Sequence, residues 1–403
     1  MLLCASGAWA AYYDEGHSGT EQDPYIIRSA GDLQELSTRV NSGTEPGGRY
    51  YRLTASLSIE GTETWNPIGA EPHAFTGHFD GSNHTITMNI SNPAYRASLF
   101  GLIGTSSGYA VKNLKVTGTI SGKFAAAIAS VIDYGTSASI EGCEFSGTIR
   151  AEYQRNPDDS ASDNHTSAGG IIEVIQSGTV KNCTVKDAVI TANQNRADVS
   201  AYAGGIAAAM GGGVIESCTV NAEIGSKGTD SYSGGIVGDS NYGTVTVNRF
   251  NGSVNSEGYS GGVAGRMDNG SRDVGDVNVD SNVVAASLAS SDITGGKTWG
   301  ALVGHIMDSI GEIVSNSADI TIEGTEDMTN EAIEQLIAPL LSGVGKIEDL
   351  TGLPGNLYIS GNNINVIIPE RIELDGNVDI GSSGCNSFFG LSVIAALAFL
   401  RRK

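Results

Sequence analysis

Short apolar runs separated by glycine and small polar residues recur along this chain with a long period. Seven ten-residue windows share one pattern, apolar at the first, sixth and tenth positions: Val111–Ile120, Ile140–Ile149, Val180–Val189, Ile215–Ile224, Val245–Val254, Val279–Leu288 and, with Ala318 sixth, Ile313–Ile322. A glycine- or alanine-led apolar motif precedes each: Gly101–Gly104, Ala127–Ala129, Gly170–Ile172, Gly205–Ala207, Gly235–Gly238, Gly262–Gly265 and Ala301–Gly304. Windows succeed one another at roughly 30 to 40 residues, the spacing of a solenoid whose coils each need a neighbour to bury their apolar side. A leading apolar strand, a β-branched strand and a short strand at the window's end give three strands per turn, the pattern of a parallel β-helix. The recurring glycine is then expected to serve the corners, by positive φ or by sparing a Cβ clash.

Stacking turns sequence columns into physical ones. The fourth window positions are Leu114, Cys143, Cys183, Cys218, Asn248, Asn282 and Asn316, and in a β-helix they form a single internal file. Asparagines in register satisfy one another's hydrogen bonds, so their stretch reads as a ladder. The three thiols lack His or acidic partners at metal-ligand spacing and read as small packing residues rather than a soft-metal site or disulfide. Val116, Phe145, Val185, Val220 and Phe250 form a buried apolar file. Lys112, Glu141, Lys181 and Glu216 form a solvated column of alternating sign.

Composition sharpens this picture. The 403 residues include 55 Gly, and 45 Asp+Glu against 23 Lys+Arg give a net charge of −22. Nucleic acid is therefore not an expected partner, because phosphate contacts need clustered cations. The five cysteines form no zinc-spaced pairs.

The open ends of such a stack need covers. Ser29 and Asp32 form a capping-box pattern before Leu33, Leu36 and Val40, which predicts a helix over about Ala30 to Asn41 on the N-terminal rung. A second helix is expected from Thr329 to Ile337, stopped by Pro339, at the other end. The organisation is then: 1–10, remnant of an export signal ending at Ala10; 11–97, cap and first coils; 98–322, repeats; 323–380, C-terminal cap and spacer of short strands; 381–403, anchor tail. That tail carries the apolar run Phe388–Leu400 and Arg401, Arg402 and Lys403. It is marginal as a permanent span, and it is the chain's one expected membrane contact.

A search for catalytic chemistry finds no motif. The outward file Lys115, Glu144, Thr184, Thr219, Arg249, Val283 and Ser317 holds no adjacent acids of the kind glycan cleavage needs, and there is no nucleophile elbow or HExxH. Recognition is better placed in the loops of variable length after the window's last strand, which point to an edge with Tyr153, Arg155, Asp158, Asp159, Tyr202 and Tyr232, and with Tyr259 nearby. No cofactor is expected; Ca²⁺ on Asp158, Asp159 and Asp163 is the alternative, although the spacing is not that of an EF-hand.

Gly101-Leu102-Ile103-Gly104 resembles the motif of the GLUG repeats, with Gly235–Gly238, Gly262–Gly265 and Ala301–Gly304 as close variants, over about residues 98 to 322. The preceding stretch, with Trp65 to Gly69 and Phe75 to Gly81, is similar to the lead-in of such repeats in bacterial surface proteins. Ser383-Gly384-Cys385-Asn386 with Phe389-Gly390 resembles the Synergist-CTERM sorting signal, which implies processing near Gly384 and Cys385 by a membrane sorting protease or transpeptidase. Together these imply an all-β, right-handed parallel β-helix with a short capping helix at each end, exported and held at the cell surface. The expected role is non-enzymatic display or adhesion towards a surface glycan or protein. A β-helical polysaccharide lyase or hydrolase and a passive spacer are the alternatives.

Overall fold

The computed structural model describes residues 13, 16–60, 65–152, 165–194, 199–228, 230–268, 277–289, 298–307, 311–323, 344–348, 357–368 and 372–380. Nearly every strand pairs in parallel with the equivalent strand of the next coil, as a β-helix requires. One helix, α1 (Ala30–Asn41), starts at Ser29, whose hydroxyl accepts the Asp32 N–H at 3.1 Å while Asp32 Oδ2 accepts the Ser29 N–H at 2.9 Å. It buries Leu33, Leu36 and Val40 on the core. Asn41 pins it to the first coils by bonding Pro67 O and the Gly69 N–H. The C-terminal helix expected over Thr329–Ile337 lies outside the described residues. Further along the chain, the strand Leu357–Ile368 adds a rung in parallel and is met antiparallel by Ile372–Ile380.

Among the described residues the repeat coils from His165 to Glu323 have four strand segments each, not the three expected from the repeat. In one coil these are His165–Gly169, Ile172–Ile175, Thr179–Lys181 and Thr184–Asn193. We call their stacks the tyrosine face, the short face, the charged face and the long face. The short face is an eight-stranded sheet from Phe100–Ile103 to Val344–Glu348. The extra segment arises because the ten-residue window is not one strand. It bends at its third position, where Asn113, Gly142, Asn182, Ser217, Val247, Ser281 and Ser315 all have φ between 52° and 59°. That left-handed corner suits Asn and Gly and disfavours Val247, whose branched Cβ crowds the backbone there.

The leading glycines have a different reason from these corners. Gly170, Gly205, Gly235 and Gly262 do not have positive φ. A Cβ on any of them would overlap the carbonyl oxygen of Gly205, Gly235, Gly262 or Ala301 in the following coil. The register also corrects the alignment of the first motif. Phe100 pairs with Ala129, and through Ile172, Ala207 and Val237 the series continues to Ala264 and Val303. Gly101 therefore stacks in line with Gly238, and Gly101–Gly104 stands three residues out of register with Gly235–Gly238. The segment in line with Gly235–Gly238 is Ser98–Gly101.

Candidate functional site

The internal file sits one residue beyond each left-handed corner, so its side chains point inward from a bend rather than from a flat strand. Cys143, Cys183 and Cys218 are free and buried. Each thiol faces backbone carbonyls; Cys183 Sγ lies 3.7 Å from Ile140 O and 3.4 Å from Lys181 O. Burial pushes the Cys143 thiol well up, which keeps it neutral and unreactive. The amides continue the file. Cys218 N donates to Asn248 Oδ1 at 2.9 Å, and Asn248 Nδ2 donates to Asn282 Oδ1 at 3.1 Å. Asn282 Nδ2 and Asn316 Nδ2 donate to the next Oδ1 at 3.0 Å each, the last acceptor being Asn362. Asn362 is the fourth residue of an eighth window, Ile359–Ile368, which is apolar at its first, sixth and tenth positions and bends at Gly361 with φ 63°, so the pattern that gave the other seven would have found it. Leu114, at the other end, is buried in the core.

Two outward files converge in the concave corner between the tyrosine face and the short face. One is Phe124, Ser167, Tyr202, Tyr232, Tyr259 and Thr298; the other includes Asp239, Arg266 and His305, all in register. Their rings stack along the axis: Tyr202 on Tyr232 at 5.9 Å, Tyr232 on Tyr259 at 5.3 Å and Tyr259 on His305 at 4.1 Å between centroids. Arg266 lies 4.5 Å over Tyr232 and holds Asp239 with two bonds, Nε–Oδ1 at 2.6 Å and Nη2–Oδ2 at 3.0 Å. Burial alone lowers the Arg266 pKa, but the facing Asp239 carboxylate more than reverses this, so the guanidinium stays charged. A second pair, Arg96 with Glu173, occupies the same corner nearer α1, and Ser167 Oγ donates to Glu173 at 3.0 Å.

Tyr202 and Tyr232 are thus brought together, but inside a packed corner rather than on an open edge. Tyr232 is only 3% exposed and its hydroxyl donates to Asp230 Oδ1 at 2.5 Å. Burial, and to a lesser degree that bond, raises its pKa. Tyr153, Arg155, Asp158 and Asp159 lie outside the described residues, as do Asp163, Ala10, Gly384 and Cys385. The strand ends beside the loops are ordered in register: Glu152, Asn193 and Lys227 stack, as do His165, Ser200 and Asp230. Asp239, Arg266 and His305 each follow directly on a four-residue apolar motif, at Gly238, Gly265 and Gly304, so the repeat alignment places them in one column; sequence reasoning missed them because it took its columns from the ten-residue windows alone. Among the described residues no three His, Cys, Asp or Glu side chains form a metal-binding group.

A third feature lies on the long face. Its strands bend at Gly118, Gly147, Asp187 and Gly252, all with positive φ, and the bend makes the outer surface concave. The result is a trough of about 670 Å³ across five successive coils, with Asp187, Asn221, Glu223, Asn251, Ser253 and Asp319 in its lining. The expected charged column stands on the charged face and is longer than the sequence suggested: Arg52, Asp80, Lys112, Glu141, Lys181 and Glu216. Lys181 meets Glu141 at 3.2 Å and Lys112 meets Asp80 at 3.7 Å.

No protein-family model matches the chain. It is 30% identical over 111 residues to a candidate Gly-rich membrane protein of Evansella cellulosilytica, an overlap of 26% of this chain and 12% of that one. It is 33% identical over 139 residues to Halomucin of Haloquadratum walsbyi, 30% of this chain and 2% of that one. The chain therefore spans a small part of either relative. Among solved structures, a candidate immunoglobulin A1 protease from Bacteroides ovatus superimposes with a TM-score of 0.47 at 17% identity, over 91% of this chain and 83% of that one. The class the fold defines is the parallel β-helix. Among the described residues no helix is long and apolar enough to cross a membrane.

Proposed function

We propose that this chain is an exported, surface-held β-helix of the GLUG-repeat kind that works as a display scaffold or adhesin. One observation carries the reading. The strand ends at Glu152, Asn193 and Lys227 keep register although the segments after them differ in length, so the rod tolerates loop variation without disturbing its core. A scaffold whose stability is separate from its loops suits recognition of varied surface partners, glycan or protein. The overlap with a protein named Halomucin and with one named for a membrane supports a surface setting. Attachment is through the tail 381–403, with cutting near Gly384 and Cys385 by a sorting protease and export-signal removal after Ala10.

Beads coated with the full chain should bind cells saturably, and deleting residues 154–164 should reduce that binding at least several-fold. Unchanged binding after the deletion overturns the role of the loops, and no binding by the intact chain overturns adhesion. The enzymatic alternative draws on one specific feature, a carboxylate, a guanidinium and an imidazole in one corner. We favour the non-enzymatic reading because Asp239 is engaged by Arg266 through two hydrogen bonds. New reducing or unsaturated ends from a polysaccharide panel would reverse that preference.

A further inference from the structure

Near α1, on the charged face, a cleft of about 260 Å³ opens between two outward files. One wall is aromatic. Tyr50 stacks on His78 with centroids 4.3 Å apart, and His78 Nδ1 is 2.6 Å from the backbone oxygen of Tyr109, whose ring lies 6.3 Å from that of Tyr50. The other wall is charged: Arg52, Asp80 and Lys112 in register, with Glu21 beside them. Lys112 Nζ is held 3.9 Å from the Tyr109 ring centroid and 3.7 Å from Asp80. These contacts hold Tyr50, His78, Tyr109, Asp80 and Lys112 in place before any ligand arrives, with the exposed Arg52 and Glu21 at the rim.

We propose that this cleft is a saccharide-binding subsite that takes a single neutral sugar residue, with Tyr50, Tyr109, Arg52 and Glu21 as its contacts.

Size is the first argument. The volume falls just below the range of roughly 300–1,000 Å³ typical of drug-sized ligands, which leaves room for one ring and little more. Charge is the second. Two carboxylates, Glu21 and Asp80, balance two cations, Arg52 and Lys112, so the cleft does not select a net charge. The third argument is unused hydrogen-bonding capacity. Asp80 and Lys112 are paired with one another, whereas Glu21, Arg52 and the hydroxyls of Tyr50 and Tyr109 make no side-chain hydrogen bond or ion pair among the described residues. Acceptors and donors therefore face one small volume together. A polyol satisfies both at once, since each hydroxyl donates and accepts. Burial, then Asp80, pushes the Tyr109 pKa up to about 12, so its hydroxyl is a donor at neutral pH. This site is separate from the loops invoked for adhesion, and it stands or falls independently of that reading.

The test is saturation-transfer NMR on the full chain with the methyl glycosides of glucose, galactose, mannose and N-acetylglucosamine, with glycine as a zwitterionic control. The expected result is saturable binding of at least one glycoside. Glu21→Gln and Arg52→Ala should each weaken it about tenfold, and Tyr109→Phe by several-fold. Glu21 and Arg52 are exposed, so these variants should fold as the parent does. Asp319→Asn, in the distant trough, should leave binding unchanged. No glycoside binding by the parent chain overturns the proposal, as does equal binding by folded Glu21→Gln and Arg52→Ala variants. Binding of glycine in place of every glycoside also overturns it, because the cleft would then recognise opposite charges rather than hydroxyls.

Discussion

Asn316 Oδ1 accepts two hydrogen bonds from Asn282, one from the side-chain Nδ2 at 3.0 Å and one from the backbone N–H at 2.9 Å. One amide oxygen thus holds both the side chain and the main chain of the coil beside it. Asn282→Ala should cost about 2–3 kcal/mol, because it strands the Asn248 N–H, which now donates to Asn282 Oδ1, in a dry interior. The midpoint of urea unfolding reads the loss. A change within error would mean that the ladder is incidental to stability.

Val247 occupies the same left-handed corner that Asn182 fills one residue before the file, and the residue is 57% exposed. Replacing it loses little packing and relieves backbone crowding. Val247→Asn should therefore raise stability by about 1 kcal/mol, measured by the same unfolding midpoint.

Two glycine substitutions should part sharply. Gly205→Ala forces a Cβ into the Gly235 carbonyl oxygen, a backbone atom held by the next coil, and should cost about 3 kcal/mol or more. Gly135→Ala meets nothing within 4 Å and should cost only about 1–2 kcal/mol, from its φ of 71°. Comparable losses in thermal unfolding would refute the close-approach account of the leading glycines.

Alkaline pH should loosen the fold. Burial, then Asp80, raises the Tyr109 pKa in the folded chain to about 12, while the unfolded phenol ionises near 10, and Tyr51 and Tyr232 are raised in the same direction, mainly by burial. Their contribution is complete below pH 10 and is lost as pH climbs through the folded values. Denaturant midpoints measured from pH 8 to pH 12 should fall above pH 10, together with delayed phenolate absorbance. A flat profile would contradict this.

The three thiols of the file should resist an aryl disulfide reagent in the native chain and react once it is unfolded, because each is buried. With Cys4 and Cys385 replaced by Ser, thiol release before and after denaturant gives a direct reading. Rapid native labelling would place the file at the surface.

The chain's pattern alone carried the solenoid period, the buried file from Leu114 to Asn316, the alternating charge from Lys112 to Glu216 and the helix that begins after Ser29. These are legible because apolar spacing and cap chemistry act over a few residues, and a parallel stack merely repeats them. Tertiary structure decided the rest. The corner inside each window was hidden because the residues that favour it, Asn113, Gly142 and Asn182, give way to Ser217, Val247, Ser281 and Ser315 in later coils, so no turn signal recurs along the whole column. The packed Tyr232, Asp239, Arg266 and His305 corner was hidden for another reason. Its residues sit on different faces and meet across a fold of the sheet, and only the angle between faces determines which outward files converge.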